Sequence, residues 1–329
     1  MSAALVYGPG HPDQACDLVA AAVVEEYLRR DPEARLNIRV CGGKGVLFLA
    51  GEVTSTADFD VSAFVKQTLA GCGVLGTIEP FIAFEPMNPA WAKTVGAREP
   101  VTAQGYATNE TPELLPKSQI LVRSLGRCLE EKRTKDPDWF WLGPDYEIQV
   151  IPLAQARPLI LVRAEHVDTE SLERVRARVQ SICVPFAPDA EFRINPAGKE
   201  TEAGLTHRVG SSGHINLGMS TQMPVLASGV GQHLRHPRVL GAIACRVVAR
   251  RLVKEGCGQA VVVRATWLPF ETRATVLRAW NERGEDLSTR LTEEELDIAL
   301  VSSGWSAPHI ATALVKIGTD ASVVLPWEA

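Results

Sequence analysis

Gly10-His11-Pro12-Asp13 places a histidine and a carboxylate two residues apart on the turn that enters an apolar-periodic run, Ala15 to Leu28. His11 can donate a proton or hydrogen bond to a developing oxyanion, and Asp13 can ligate a hard metal. The simpler use of the same four letters is a helix start, with Asp13 as the N-cap and Pro12 just before it. Other chemistry is thinly supported. No Gly-x-Ser-x-Gly elbow is present, and Ser211-Ser212-Gly213-His214 reads as a Gly/Ser turn. No Gly-x-Gly-x-x-Gly follows a strand and opens a helix. His233, Arg235, His236 and Arg238 offer two fixed cations and two titratable groups. The plainer expectation is that they form the solvated first turn of the next helix. His-x-x-His spacing is too common to mark a metal site.

The elements that must position these residues follow from periodicity and punctuation. A helix is expected over about 13–30, stopped by Arg29-Arg30-Asp31-Pro32. Strands Leu36–Cys41 and Val46–Val53 flank Gly42-Gly43-Lys44-Gly45, a hairpin signal. A helix over about 60–70 is capped by Asp58 or Asp60. The Pro-rich passage 79–100 is expected to break regular structure. Then come a helix over 116–134, strands 147–152 and 159–164, and a helix over 169–182. The stretch 197–231 reads as loop. A helix over 237–255, strands 259–267 and 275–280 and a helix over 292–300 complete the chain. Strand pairs recurring with helices argue for α+β layers.

Composition narrows the class. The 329 residues suit two or three domains, and 46% are hydrophobic with a formal net charge of −5. There is no basic run with interleaved aromatics, so no nucleic acid is expected as a partner. No apolar stretch is long enough for a membrane helix. The N-terminus lacks the charged and apolar regions of a signal peptide, so a cytoplasmic protein is expected. Seven scattered cysteines, none in a CxxC pair, read as reduced and mostly buried thiols.

Seven segments in register resemble S-adenosylmethionine synthetases (methionine adenosyltransferases). They are Gly8 to Gln14, Gly51-Glu52-Val53-Thr54-Ser55, Gly105 to Thr111, and Leu142-Gly143-Pro144-Asp145 with Gln149-Val150. Ile194 to Gly198, Gly204-Leu205-Thr206-His207-Arg208 and the terminal Leu325-Pro326-Trp327-Glu328 complete the set. The resemblance spans essentially the whole chain. It implies an α+β fold of three similar α/β sandwich-type domains in a pseudo-threefold arrangement, here 1–100, 101–196 and 197–329. It also implies a homodimer, or higher, that buries flat apolar sheet faces and has active sites between subunits. In that family the thioether sulfur of methionine attacks C5′ of ATP and expels triphosphate, which is then hydrolysed. By resemblance His11 touches the leaving-group oxygen, Asp13 a magnesium ion, Asp145 the ribose and Arg208 the phosphate chain. Glu52 would hold the substrate ammonium, Glu202 takes a related aspartate's place, and Arg235 falls near the methionine carboxylate.

The departures concentrate on the phosphate side. Family lysines are replaced by Gln14, Glu147 and Val209, and the glycine-rich loop shrinks to Ala227-Ser228-Gly229-Val230-Gly231-Gln232, without lysine. A metal-binding aspartate becomes Pro237, a glutamate becomes Leu5, and Arg98-Glu99-Pro100-Val101 replaces a Gly/Asp-rich hexapeptide. Glu200 stands where an aromatic stacks on adenine. The monovalent-cation glutamate is Arg39, which puts potassium in doubt while magnesium stays expected. Each lost buried contact to phosphate is worth about 1.5–3 kcal/mol. Lys44, Lys199 and Arg39 could replace them but read better as surface charges. Two functions fit. One is an adenosyl-transferring enzyme using ATP or another adenosyl nucleoside and methionine or a methionine-like amino acid, either forming S-adenosylmethionine in the ordinary way or, in a diverged variant, with a leaving group less charged than triphosphate or bound in a new way. The other is a non-catalytic relative that binds a nucleoside or supports a partner subunit.

Overall fold

The computed structural model describes residues 3–74, 76–92, 96–153, 157–213, 229–305 and 309–328. In chain order the strands are β1 (Ala4–Tyr7), β2 (Arg35–Gly43), β3 (Val46–Thr54), β4 (Glu79–Glu85), β5 (Val101–Thr108), β6 (Leu142–Ile151), β7 (Leu159–His166), β8 (Glu191–Ile194), β9 (Val209–Ser211), β10 (Ala260–Trp267) and β11 (Val276–Asn281). The helices are α1 (Pro12–Arg30), α2 (Val61–Gly71), α3 (Pro89–Ala92), α4 (Lys117–Lys135), α5 (Leu172–Cys183), α6 (Gly204–His207), α7 (Pro237–Lys254), α8 (Ile298–Trp305) and α9 (Ile310–Lys316).

Three sheets result, in strand orders β4-β3-β2-β9, β1-β6-β7-β8 and β11-β10-β5. They exchange strands along the chain. β1 adds to the sheet of β6 and β7, β9 adds to the first hairpin, and β5 pairs with β10. Each sheet backs onto helices through its own apolar core. α1 is buried nearly all round, which explains its run of Ala, Cys and Val in place of a polar stripe. Among the described residues no helix is long and apolar enough to cross a membrane. All seven cysteines are free and four are buried.

Several expectations need correction. The Pro-rich passage is not all irregular: Glu79–Glu85 is an edge strand parallel to β3, with Pro80 near its start, where a missing N–H is tolerated. The helix expected over 292–300 is a 3₁₀ turn at Glu294–Leu296 followed by α8. β1, β5 and α9 carry no pattern that the periodicity singled out. The stretch 197–231 holds α6 and β9, and its residues 214–228, including His214, Ala227 and Ser228, lie outside the described residues. Asp60 is the cap of α2, accepting from Ala63 N–H.

Candidate active site

Asp13 is not the cap of α1. His11 holds the N-cap position without a side-chain cap bond, and Pro12 opens the first turn. This frees Asp13, whose Oδ1 accepts from the Ser211 N–H of β9 at 2.8 Å. Two glycines permit the approach of these segments. A Cβ on Gly210 would lie 2.2 Å from the Pro12 carbonyl carbon, and one on Gly10 would lie 2.6 Å from the Pro144 ring. The second contact brings Asp145 beside the His11 turn. An irregularity between Leu142 and Tyr146 in the β6–β7 ladder re-aims that segment.

Asp145 is fully buried and organises the site. Its Oδ2 accepts from Gly204 N–H at 2.7 Å and from Arg208 Nη1 at 3.3 Å, and its Oδ1 accepts from Arg163 Nη2. Arg163 sits on β7 directly opposite Glu147 on β6, which in turn faces Tyr7 on β1. The row Tyr7, Glu147, Arg163 therefore shares one face of the sheet. His11 packs its ring on Tyr7 at 4.0 Å between centroids. Glu200 reaches the other side of Arg163, at 3.6 Å from Nη1, while Glu147 lies 3.8 Å from Nε. The loop that carries Glu200 is fixed by its carbonyl, which accepts from His166 N–H, and by buried Asn195, which bridges to the Ala164 backbone.

His11 is only 5% exposed, and its Nδ1 has no hydrogen-bond partner among the described residues. Burial first, opposed by Asp145 and reinforced by Arg163 and Arg208, pushes its pKa down to about 4. The ring is neutral at pH 7 and carries one N–H to give. Burial, with Glu147 and Asp13 adding to it, pushes Tyr7 up to about 12. Arg163 loses solvation, yet the hydrogen bond and attraction of Asp145, then Glu200 and Glu147, more than offset this and raise its pKa.

The structure thus brings His11, Asp13, Asp145 and Arg208 into one cluster. Glu52 and Arg235 belong to a second group. Glu52 faces Arg98 at 3.4 Å, and Arg98 stacks on Trp91 at 4.1 Å. Glu52, Trp91, Arg98, His233 and His236 line a recess of about 50 Å³. Arg35 also lines it, and after burial the charge of Arg235 helps lower the Arg35 pKa. Glu202 is exposed, with no hydrogen bond or ion pair among the described residues.

Three of the possible replacement cations, Arg238, Lys199 and Arg39, are engaged elsewhere. His233 and His236 are buried, not solvated, and burial holds both neutral, His236 at about 3. Arg238 is paired with Glu99 at 3.0 Å. Lys199 pairs with Asp168, and Arg39 donates to the Val230 carbonyl. Gln14 turns inward, donating to the Val315 carbonyl of α9 at 2.6 Å. Arg163 and Tyr7 were not legible as site residues. The one signal was the inverted charge at Glu147, which asks for a cation across the ladder.

Two family models match the chain: the S-adenosylmethionine synthetase N-terminal domain over residues 4–83 and the S-adenosylmethionine synthetase central domain over 94–200. Together they take in more than half of its length. The chain belongs to the S-adenosylmethionine synthetase family. Among solved structures it is similar to an unusual S-adenosylmethionine synthetase from Campylobacter jejuni, with 18% identity and a TM-score of 0.86 over 99% of this chain and 96% of that one. At that identity the likeness establishes the S-adenosylmethionine synthetase fold. The chain is a divergent member: Arg163, inside a ring of carboxylates, stands beside Glu147 where the resemblance expects a lysine.

Among the described residues no group of three or more His, Cys, Asp or Glu side chains could hold a metal. Asp13 keeps its second carboxylate oxygen free of any hydrogen bond among those residues. A magnesium ion that takes one protein carboxylate and completes its shell with substrate oxygens and water fits this; an all-protein cage does not.

Proposed function

We propose that this protein catalyses nucleophilic displacement at C5′ of an adenosyl nucleoside by a methionine-like thioether, with a leaving group less charged than triphosphate. The observation that carries this is the neutral, buried His11, whose Nδ1 is unpartnered beside Asp145, Arg163 and Arg208. The sulfur lone pair forms the S–C5′ bond, and the C5′–leaving-group bond breaks with its electron pair going to the leaving atom. No proton need transfer. His11 donates a hydrogen bond to the atom on which charge develops, a contact that strengthens in the transition state. Arg208 adds a half-exposed cation there, and Asp145 fixes it. A magnesium ion held by Asp13 would neutralise a phosphorylated leaving group.

The charge balance argues against triphosphate. Two guanidiniums, Arg163 and Arg208, stand among Asp13, Asp145, Glu147 and Glu200. A tetraanion would enter a field that is already negative. The test is to incubate the protein with methionine, magnesium and either ATP or 5′-chloro-5′-deoxyadenosine, and to follow S-adenosylmethionine by mass spectrometry. Product from the chloride, whose leaving group is a monoanion, at a higher rate than from ATP supports the proposal. No product from either leaves the non-catalytic alternative, in which the family's scaffold only binds a nucleoside or a partner chain.

A second copy is the proposed partner. Phe48 and Phe81 stack at 5.3 Å on the outer face of the first sheet, each about half exposed, with Val46 on the same face. A flat apolar patch of this kind fits a homodimer, and Phe48→Glu should shift the protein to monomer in light scattering.

A further inference from the structure

We infer that Arg163 is the specificity-determining residue of this site, and that it takes uncharged sugar hydroxyls of the ligand, not phosphate. The inference rests on the nucleoside reading above and deepens it. Of the three guanidinium nitrogens, only Nη2 makes a hydrogen bond among the described residues, to Asp145. Nε and Nη1 are buried and have no hydrogen-bond partner among the described residues. Each instead faces a carboxylate across a gap: Glu147 at 3.8 Å from Nε and Glu200 at 3.6 Å from Nη1. Both distances are too long for a hydrogen bond.

A ligand hydroxyl can insert there once the partly exposed Glu147 or Glu200 side chain swings back to widen the gap. The hydroxyl accepts from the guanidinium with a lone pair and donates its own hydrogen to the carboxylate, at about 2.8 Å on each side. A phosphate oxygen can only accept. It would satisfy Arg163 while standing against the carboxylate behind it, with no hydrogen to offer. The gaps lie on either side of Nη2 and are not adjacent, so they call for a ligand with more than one polar group. A nucleoside sugar has them. Glu165 closes the far side: its carboxylate accepts from Asp145 N–H, and burial holds its pKa up.

The test compares adenosine, 2′,3′-dideoxyadenosine and ATP by isothermal titration calorimetry on the intact protein with magnesium. Adenosine is expected to bind, the dideoxy compound at least tenfold more weakly, and ATP no more tightly than adenosine. Arg163→Lys keeps the charge but removes the forked donors, and should weaken adenosine about tenfold while leaving the already weak dideoxy compound unchanged. Equal binding of adenosine and dideoxyadenosine, tighter binding of ATP, or no binding of adenosine overturns the inference. The displacement assay is read separately. Turnover of ATP with no preference for adenosine sinks the inference alone, whereas the expected binding pattern without any turnover sinks only the proposed reaction.

Discussion

Arg246 and Arg163 are both withdrawn from water and set against carboxylates, and they differ in what their nitrogens do. Arg246, on α7, is fully buried and spends every nitrogen. Nε and Nη2 fork onto Glu328 at 3.0 and 2.8 Å, Nη1 donates to the carbonyls of Tyr106 and Leu114, and Nη2 also donates to Glu113. It ties the terminal Leu-Pro-Trp-Glu segment to β5 and the turn beyond it. Arg163 makes one hydrogen bond and leaves two nitrogens facing gaps. A guanidinium that serves the fold is saturated by the chain itself. One that serves a ligand keeps donors in hand. Single unpartnered Nε atoms occur at Arg123 and Arg127, but Arg163 has two, each opposite a carboxylate.

The contrast can be broken by the same substitution at both sites. Arg246→Lys removes at least two charge-assisted hydrogen bonds and leaves buried carbonyls unpaired, so a loss of about 4 kcal/mol or more is expected in urea unfolding. Arg163→Lys should cost only about 1 kcal/mol, because a lysine can still reach Asp145. Equal losses at the two sites would erase the distinction.

Asp17 shows what an unsatisfied buried atom costs when it serves no ligand. Its Oδ1 accepts from Gly213 N–H at 2.6 Å, but Oδ2 is unpartnered among the described residues. Burial pushes its pKa up to about 7 from 3.8. The folded state therefore binds the proton more tightly than the unfolded state. The stability tied to that proton is fully present below about pH 3.8 and is lost as pH rises through about 7. Asp17→Asn keeps the acceptor for Gly213 and should stabilise the protein by about 2–4 kcal/mol at pH 8, with the gain vanishing near pH 4. A gain that does not change with pH would refute the titration of Asp17.

His11 belongs with Arg163, and its substitution sharpens the functional half of the contrast. His11→Ala should abolish displacement while the folded protein remains, as read by circular dichroism; unchanged turnover would reject its role. With its pKa near 4, His11 should add no step to the rate profile between pH 5 and 8. A fall centred near 6.5 would show a solvated ring instead.

Much of the fold was legible because local rules decide it. α1, the β2–β3 hairpin, α4 and α7 follow apolar spacing, caps and turn residues, and their ends fall within a few residues of expectation. What escaped was set by distant partners. β1 is four residues long and becomes a strand by pairing with β6, and β5 is fixed by β10. The site shows the same division. His11, Asp13, Asp145 and Arg208 lie in segments that resemble a family, so their meeting could be anticipated. Arg163 depends on the β6–β7 register, and the long connection between those strands leaves that register open in the sequence. Gln14 likewise looked like a lost lysine in the site, yet it turns to α9 because a buried carbonyl there needs a donor.

The most direct measurement is the nitrogen-15 spectrum of the arginine Nε–H groups during titration with adenosine, assigned by Arg163→Lys and Arg246→Lys. The Arg163 signal is expected to move as the gap beside Nε fills, and the Arg246 signal to stay in place. Saturation with adenosine while the Arg163 signal does not move would contradict the account.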